Sequence, residues 1–203
     1  TLTSLAAVPL VANDLIVGTG ADVAGRLAVG ANGTVLTVVA GAPAYAAPAV
    51  WSVQTPVATT AGGTIDFTGI PAGAKSIRLY LMNVSLTGTD SYLVQLGTSG
   101  GFVVTGYVGT AHGFSASGVG STNMSTGFFI GSLGATDQAV GILEADLVTG
   151  NFWMIKYQGR RGVSDTSLST GSIDIAGTLT QLRLTRTGTN TFDNGTAAIS
   201  WIL

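Results

Sequence analysis

The sequence of 203 residues contains no cysteine and a single histidine, and only 9% of its residues are charged. Without cysteine the chain forms no disulfide and offers no thiolate to a metal, so its stability is noncovalent. Eight Lys and Arg stand against ten Asp and Glu, which gives a formal net charge of -2. Because so weak a charge does not attract a phosphate backbone, we expect no nucleic-acid partner. We also expect no metal and no cofactor.

Long hydrophobic runs are missing as well. No run approaches the roughly 18 apolar residues that a membrane-spanning helix requires. The opening "TLTSLAAVPLVANDLIVGTG" has no basic start and is interrupted by Pro9, Asn13 and Asp14. These features argue against a secretory signal. We therefore expect no membrane insertion.

Short apolar runs, in contrast, are abundant from about Trp51 onward. They are rich in Val, Ile, Thr, Leu and aromatic residues and are separated by clusters of Gly, Asn, Ser and Thr. In "KSIRLYLMNV", Ile77, Leu79 and Leu81 alternate with more polar residues, which is the period of a strand with one buried face. The same alternation recurs at 143–147, 173–175 and 182–184, and further strands are predicted near 64–68, 91–97, 127–131, 151–158 and 197–203.

Many short strands without a helical period predict an all-β fold. We expect an antiparallel two-sheet β-sandwich, jelly-roll-like, that spans residues 51–203. The motif "FDNGT" at 192–196 is interpreted as a hairpin turn, since Asn-Gly is a strong turn signal. Calcium binding through Asp193 and Asn194 is the weaker alternative.

The first fifty residues follow a different pattern. Their apolar residues are mostly Ala and Val, Phe and Trp are absent, and turn signals such as Asn32-Gly33 come every few residues. Such a segment cannot build its own core, so it is disordered, packs on the sandwich or winds with the same segment of sister chains. Low charge favours the last option. We predict an extended arm or shaft over residues 1–50, in which "GAPAYAAPAV" at 41–50 is the linker to the sandwich.

Two stretches carry a resemblance to known proteins. The segment "LAVGANGTVLTVVAGAPAYAA" resembles a connector motif of bacteriophage tail fibres and other virion proteins, although Tyr45 stands where Trp is more usual. The preceding "TLTSLAAVPLVANDLIVGTGADVAG" is similar to the Leu-Ala-rich shafts of such fibres. The distal "IPAGAKSIRLYLMNVSLTGTDSYLVQLGTSGGFVVTGY", "STGFFI", "GVSDT" and "TGTNTFDNGTAAISWIL" resemble a β-rich domain common in phage and prophage tail proteins.

This resemblance implies a homotrimer that is assembled in the cytoplasm of a bacterial host and located in the virion, on the tail or the capsid surface. The N-terminal arm is then expected to bind sister chains and other virion proteins, and the sandwich to bind a bacterial surface glycan or protein for host attachment. The residues expected to serve attachment or oligomerisation are apolar: Leu27, Val29, Val35, Leu36, Val38 and Tyr45.

The function predicted from these features is that of a non-enzymatic virion structural protein, most simply a short trimeric tail fibre. A head decoration protein or head fibre, attached to the capsid by its arm, is the alternative that keeps the same fold. A tail protein that depolymerises glycans is the minor alternative.

Recognition is the chemistry that the side chains favour. The stretch Gly106 to Phe129 is rich in Gly and Ser, is interpreted as a long loop, and carries Tyr107, His112 and Phe114 as isolated rings that suit a sugar or protein surface. Alternatively, this loop packs on a neighbouring subunit. A second candidate cluster is "WMIKYQGRRG", in which Tyr157, Arg160 and Arg161 leave a strand and Arg can grip an acidic sugar or phosphate.

Catalytic patterns are weak in comparison. His112 and Ser115 lie close in sequence but lack the Gly-x-Ser-x-Gly elbow. Glu144 and Asp146 share one face of a predicted strand at a spacing that glycan hydrolysis permits, but we favour their interpretation as an exposed polar strand face. The run "GTGADVAG" at 18–25 has no strand-loop-helix context for a dinucleotide and is interpreted as a turn.

Overall fold

The computed structural model describes residues 8–20, 23–132 and 134–203, and its chain divides into two compact units, residues 1–50 and Trp51–Leu203. The strands are β1 (Leu15–Gly20), β2 (Val23–Leu27), β3 (Val35–Val39), β4 (Ala42–Ala46), β5 (Ser52–Val53), β6 (Val57–Ala58), β7 (Ile65–Thr68), β8 (Ser76–Leu86), β9 (Ser91–Thr98), β10 (Gly101–Phe102), β11 (Val108–Ser115), β12 (Gly118–Asn123), β13 (Phe128–Ser132), β14 (Ala139–Thr149), β15 (Phe152–Arg161), β16 (Asp165–Asp174), β17 (Gln181–Arg186) and β18 (Phe192–Ile202). Among the described residues, no helix has the length and apolar character to span a membrane.

The N-terminal unit consists of two β-hairpins. Strand β1 pairs antiparallel with β2, and β3 pairs with β4. Ala40 and Gly41 join the second pair with φ angles of 50° and 83°, the positive values that a tight two-residue hairpin turn requires. The tip of the first hairpin, Ala21 and Asp22, is part of the turn predicted for 18–25 and lies outside the described residues.

The interpretation of 41–50 as a linker is therefore wrong for its first half, because Ala42–Ala46 is strand β4. Pro43 lies opposite Val38 in this ladder. A two-stranded ribbon tolerates proline because each strand has an edge on which no backbone N–H is needed.

The second unit contains two antiparallel sheets. The larger has nine strands, in the order β12-β11-β16-β15-β14-β8-β18-β5, with β6 also paired to β18. The smaller has five, in the order β10-β9-β17-β7, with β13 also paired to β9. The prediction of an all-β fold of antiparallel sheets packed against each other is confirmed.

A single apolar core lies between these sheets. Ile77, Leu79 and Leu81 of β8 are at most 1% exposed, as their alternation predicted. Trp153 from the nine-stranded sheet and Phe67 and Phe128 from the five-stranded sheet are among the largest buried side chains. Burying a large apolar side chain contributes about 2 kcal/mol, so this core holds the sandwich together without any disulfide.

Strand β11 and its neighbour β12 form a hairpin where the sequence was interpreted as a long loop. Strand β11 pairs continuously with β12 on one side and with β16 on the other. The loop interpretation of 106–129 is wrong because Gly109, Gly113 and Gly120 dilute the apolar alternation. Gly109 is needed for the close pairing with β16, since a Cβ there would lie 2.4 Å from the carbonyl oxygen of Thr170.

The motif "FDNGT" is not a hairpin turn. It lies inside β18, where the register with β8 shifts twice, between Phe192 and Asn194 and between Asn194 and Thr196. Gly195 has a φ of 92°, and Asn83 opposite has a φ of 56°. The same backbone preference that predicted a turn is satisfied here by a bulge.

Candidate functional site

The outward face of the nine-stranded sheet carries a groove of about 1220 Å³, which we call the sheet groove. One cross-strand row runs along it, and the ladder registers place His112, Leu168, Gln158, Ile142 and Tyr80 side by side on β11, β16, β15, β14 and β8. Leu168 and Ile142 are 39% and 44% exposed. The centre of the sheet groove is thus apolar and open to solvent.

A second cross-strand row, two residues further along β14, contains charged side chains. Glu144 lies between two cations, with its Oε2 2.7 Å from Nζ of Lys156 and its Oε1 2.9 Å from Nε of Arg78. Arg78 and Glu144 form an ion pair but no hydrogen bond through Nε, because Nε of Arg78 has no acceptor in hydrogen-bonding geometry among the described residues. The hydrogen bond from Lys156 lowers the pKa of the Glu144 carboxyl below its usual 4.5, although partial desolvation opposes the shift.

Two further contacts hold side chains of strand β8 at the edge of the sheet groove. The guanidinium carbon of Arg78 lies 4.2 Å from the ring centroid of Trp51, a cation–π contact. The hydroxyls of Tyr80 and Ser200 lie 3.1 Å apart and share a hydrogen bond. Arg78 and Tyr80 are therefore held in place by neighbouring strands.

The candidate carboxylates are engaged in structural contacts. Glu144 holds the two cations, and Asp146, two residues further on the same face, accepts a 2.6 Å hydrogen bond from the Ser76 hydroxyl. A general acid requires a raised pKa, but that of Glu144 is lowered. Both carboxylates therefore hold neighbouring strands together.

His112 and Ser115 do not form a catalytic pair. They are three residues apart on one strand, so their side chains leave opposite faces of the sheet. The Ser115 hydroxyl lies 2.8 Å from that of Ser117 and donates to the Gly118 carbonyl. In the part of the chain that the structure describes, no group of three or more His, Asp or Glu is placed to hold a metal.

The structure brings three of the predicted recognition residues to the outward face. His112 and Arg160 line the sheet groove, and the Phe114 ring lies 6.4 Å from the His112 ring and is 39% exposed. Arg160 donates to the Gly162 carbonyl. His112 and Phe114 come from β11 and Arg160 from β15, and all three lie on the same face of the sheet.

Tyr107 and Tyr157 are buried instead. Each is only 3% exposed, so the interpretation of these two rings as surface contacts is corrected. Tyr107 accepts a 2.7 Å hydrogen bond from the Leu96 backbone N–H. The Tyr157 hydroxyl occupies space that Gly141 and Gly159 leave open, because a Cβ on either glycine would lie within 2.5 Å of it. Burial raises the pKa of both phenols.

Arg161 lies on the opposite face of β15 from Arg160. It lines a second cavity of about 390 Å³ with the β11–β12 hairpin and Phe129. Its Nη2 lies 2.8 Å from Asp165. The two adjacent arginines therefore serve different surfaces, as strand alternation dictates.

The residues predicted for attachment lie in the N-terminal unit. Val29, Val35, Leu36 and Val38 are between 47% and 69% exposed, whereas Leu27 and Tyr45 are partly buried. Tyr45 packs over Gly30, where a Cβ would lie 2.4 Å from the ring. Among the described residues of this unit, none is buried.

An ion pair between a shielded carboxylate and an exposed guanidinium orders the first hairpin. The Asp14 carboxylate, 2% exposed, lies 2.6 Å from Nε of Arg26 and accepts hydrogen bonds from the backbone N–H groups of Val11 and Val29. The hydrogen bond from Val11 is the largest cause that lowers the pKa of Asp14.

Sequence reasoning missed the apolar centre of the sheet groove. Ile142 and Leu168 do stand at outward positions of alternating runs, but they are 26 positions apart, and only the strand order places Gln158 between them. Comparison with protein-family models, curated proteins and solved structures finds no match.

Proposed function

We propose that this chain is a non-enzymatic structural protein of a bacteriophage virion, a short trimeric fibre whose N-terminal unit assembles the chains and whose sandwich binds the host surface. The observation that carries the proposal is the contrast between the two units. The sandwich buries a continuous core, whereas the hairpins leave Val35, Leu36, Val38 and Val39 about half exposed or more.

No described residue of the two hairpins is buried, so their own contacts do not account for their stability. An isolated two-stranded hairpin is marginally stable in water, and contiguous exposed apolar side chains mark a protein interface. Sister chains are the partner present in equal amount, and the resemblance of Leu27 to Ala47 to fibre connectors supports a trimer. The same exposed side chains support binding to other virion proteins.

The outward face of the sandwich supports binding rather than bond cleavage. The sheet groove combines exposed apolar side chains with polar groups from five strands, as ligand sites do. The nearest carboxylate, Glu144, is held by two cations and has a lowered pKa, which suits an ion pair and not a proton donor.

Adsorption to bacterial cells tests this function. Fluorescently labelled intact protein is incubated with a panel of encapsulated and unencapsulated strains, with heat-unfolded protein as the control. We expect saturable binding to some strains and no loss of viscosity of their surface polysaccharides. Loss of viscosity would establish a depolymerising enzyme. Binding to no strain would contradict host attachment and favour the head decoration alternative.

A further inference from the structure

We propose that the sheet groove binds an acidic surface oligosaccharide, with Arg160 contacting the acidic group and Leu168 lying under a sugar ring. This inference rests on the proposed host-binding function and assigns it a ligand class and a site. Four features of the sheet groove support it, namely polar side chains without internal hydrogen bonds, an apolar centre, positively charged lining residues and the length of the groove.

Four polar side chains around the centre keep their hydrogen-bonding groups free of the other described residues. In the described part of the chain, His112, Gln158, Thr166 and Thr170 make no side-chain hydrogen bond, although all four line the sheet groove. Gln158 and His112 flank Leu168 in its cross-strand row, and Thr166 and Thr170 flank it along β16. Leu168 is therefore surrounded by unused donors and acceptors.

An apolar patch within a ring of hydrogen-bonding groups suits a sugar. A pyranose presents an apolar C–H face and hydroxyls around its edge, so one face packs on apolar side chains while the edge hydrogen-bonds. Leu168 and the nearby Phe114 ring, each 39% exposed, supply the apolar surface. A purely apolar partner would leave the four polar side chains desolvated and unpaired, at a cost for each.

The charge in the sheet groove favours an acidic ligand. Lys156 and Arg160 line it against one lining carboxylate, Glu144, in a chain whose net charge is -2. Arg78 and Asp146 lie beyond the lining on the same face and balance each other in charge. Glu144 already pairs with Arg78 and Lys156. Arg160 forms no ion pair with any described residue and is anchored only through Nη1 to the Gly162 carbonyl. The rest of its planar fork remains available to a carboxylate or phosphate.

The length of the groove suits more than one sugar. Its central row crosses five neighbouring strands, from β11 to β8. At the usual spacing between strands this is roughly 20 Å. An open groove of this length favours an extended chain over a compact small molecule. A peptide is the competing occupant, and the test separates the two.

The test compares the intact protein and two matched variants on immobilised bacterial surface glycans, with and without uronic acid or phosphate groups. Arg160→Gln removes one positive charge inside the sheet groove. Lys75→Gln removes one positive charge from an exposed side chain outside its lining. A third variant, Gln158→Ala, removes an uncharged polar side chain from the lining of the sheet groove. Urea unfolding of all three variants verifies that each retains the fold.

We expect binding to acidic but not to matched neutral glycans, and weakening with added salt. Arg160→Gln should weaken it about tenfold or more, because a charge-assisted contact is lost. Gln158→Ala should weaken binding about threefold, since it removes a neutral hydrogen bond. Lys75→Gln should change it by less than about twofold.

Equal binding by Arg160→Gln and Lys75→Gln would overturn the proposal, as would absence of binding to every acidic glycan. Retained adsorption to cells that is abolished by protease treatment of the cells would identify a protein receptor; the host-binding function would then stand without this ligand. Absence of adsorption to all cells would instead contradict the host-binding function itself.

Discussion

Asn83 and Gly195 face each other where β8 and β18 bulge, and a Cβ on Gly195 would lie 2.4 Å from the Asn83 carbonyl oxygen. Gly195 also has a φ of 92°, in which an L side chain is strained. The Asn194 side-chain amide donates to the same Asn83 carbonyl. The two strands therefore approach each other through a contact that only glycine permits.

Substituting Gly195 should consequently destabilise the sandwich. We expect Gly195→Ala to lower the free energy of unfolding by about 3 kcal/mol, from backbone strain and steric overlap. Gly120→Ala is the matched control, because a Cβ there meets no atom within 4 Å. Urea unfolding followed by tryptophan fluorescence measures both variants. Equal stability of the two variants would show that the bulge does not require glycine.

The three buried tyrosines should ionise at a higher pH than exposed tyrosines do. Burial raises the pKa of Tyr92, Tyr107 and Tyr157 above the usual 10. The unfolded chain ionises at lower pH than the native one, so these phenols stabilise the fold below about pH 10 and favour unfolding above it. Absorbance at alkaline pH should show three of the five tyrosines ionising together with loss of the native fold. Ionisation of all five in the native protein would contradict the burial.

The Glu144 ion pair should contribute stability only when the carboxyl is ionised. Because its pKa is lowered, this contribution is present above pH 4.5 and is lost as the pH falls through the native value. We expect Glu144→Gln to cost about 1 kcal/mol near neutral pH and almost nothing at about pH 2. A double-mutant cycle with Lys156→Met isolates the pair. A cost that does not change with pH would show that packing, and not charge, is responsible.

Exposed apolar side chains of the second hairpin should control self-association. Val38 is 69% exposed, and Val38→Lys places a charge on the surface that we propose pairs with sister chains. We expect a shift from trimer towards monomer with unchanged unfolding of the sandwich. Val163→Lys is the control, because Val163 is 93% exposed in the second unit. Sedimentation velocity over a range of concentrations measures both, and an unchanged trimer in Val38→Lys would exclude this surface.

Alternation predicted the strands whose two faces differ strongly in polarity. Ile77, Leu79 and Leu81 occupy the core as expected, because apolar and polar residues change places at every step. The glycine and serine residues of β11 and β12 interrupt this alternation, which is why their sequence predicts a loop. Asn194-Gly195 shows a related limit, since a positive φ serves a turn and a bulge equally well.

The candidate site was predicted only in part. Rings and charges in a polar context single out His112, Phe114 and Arg160, and the structure places these three on the outward face. Tyr107 and Tyr157 look similar in sequence, but both are buried. Tyr157 stands at an inward position of β15, and Tyr107 directly precedes β11. The apolar centre depends on long-range pairing between β14, β15 and β16, which local pattern cannot supply.

The most direct measurement is the solution mass of the intact chain and of residues 51–203, by light scattering at matched concentration. The sandwich has its own core within Trp51–Leu203, so we expect this shorter chain to be folded and monomeric and the intact chain to be a trimer. An intact chain that stays monomeric would contradict assembly through the N-terminal unit, as would a shorter chain that remains trimeric.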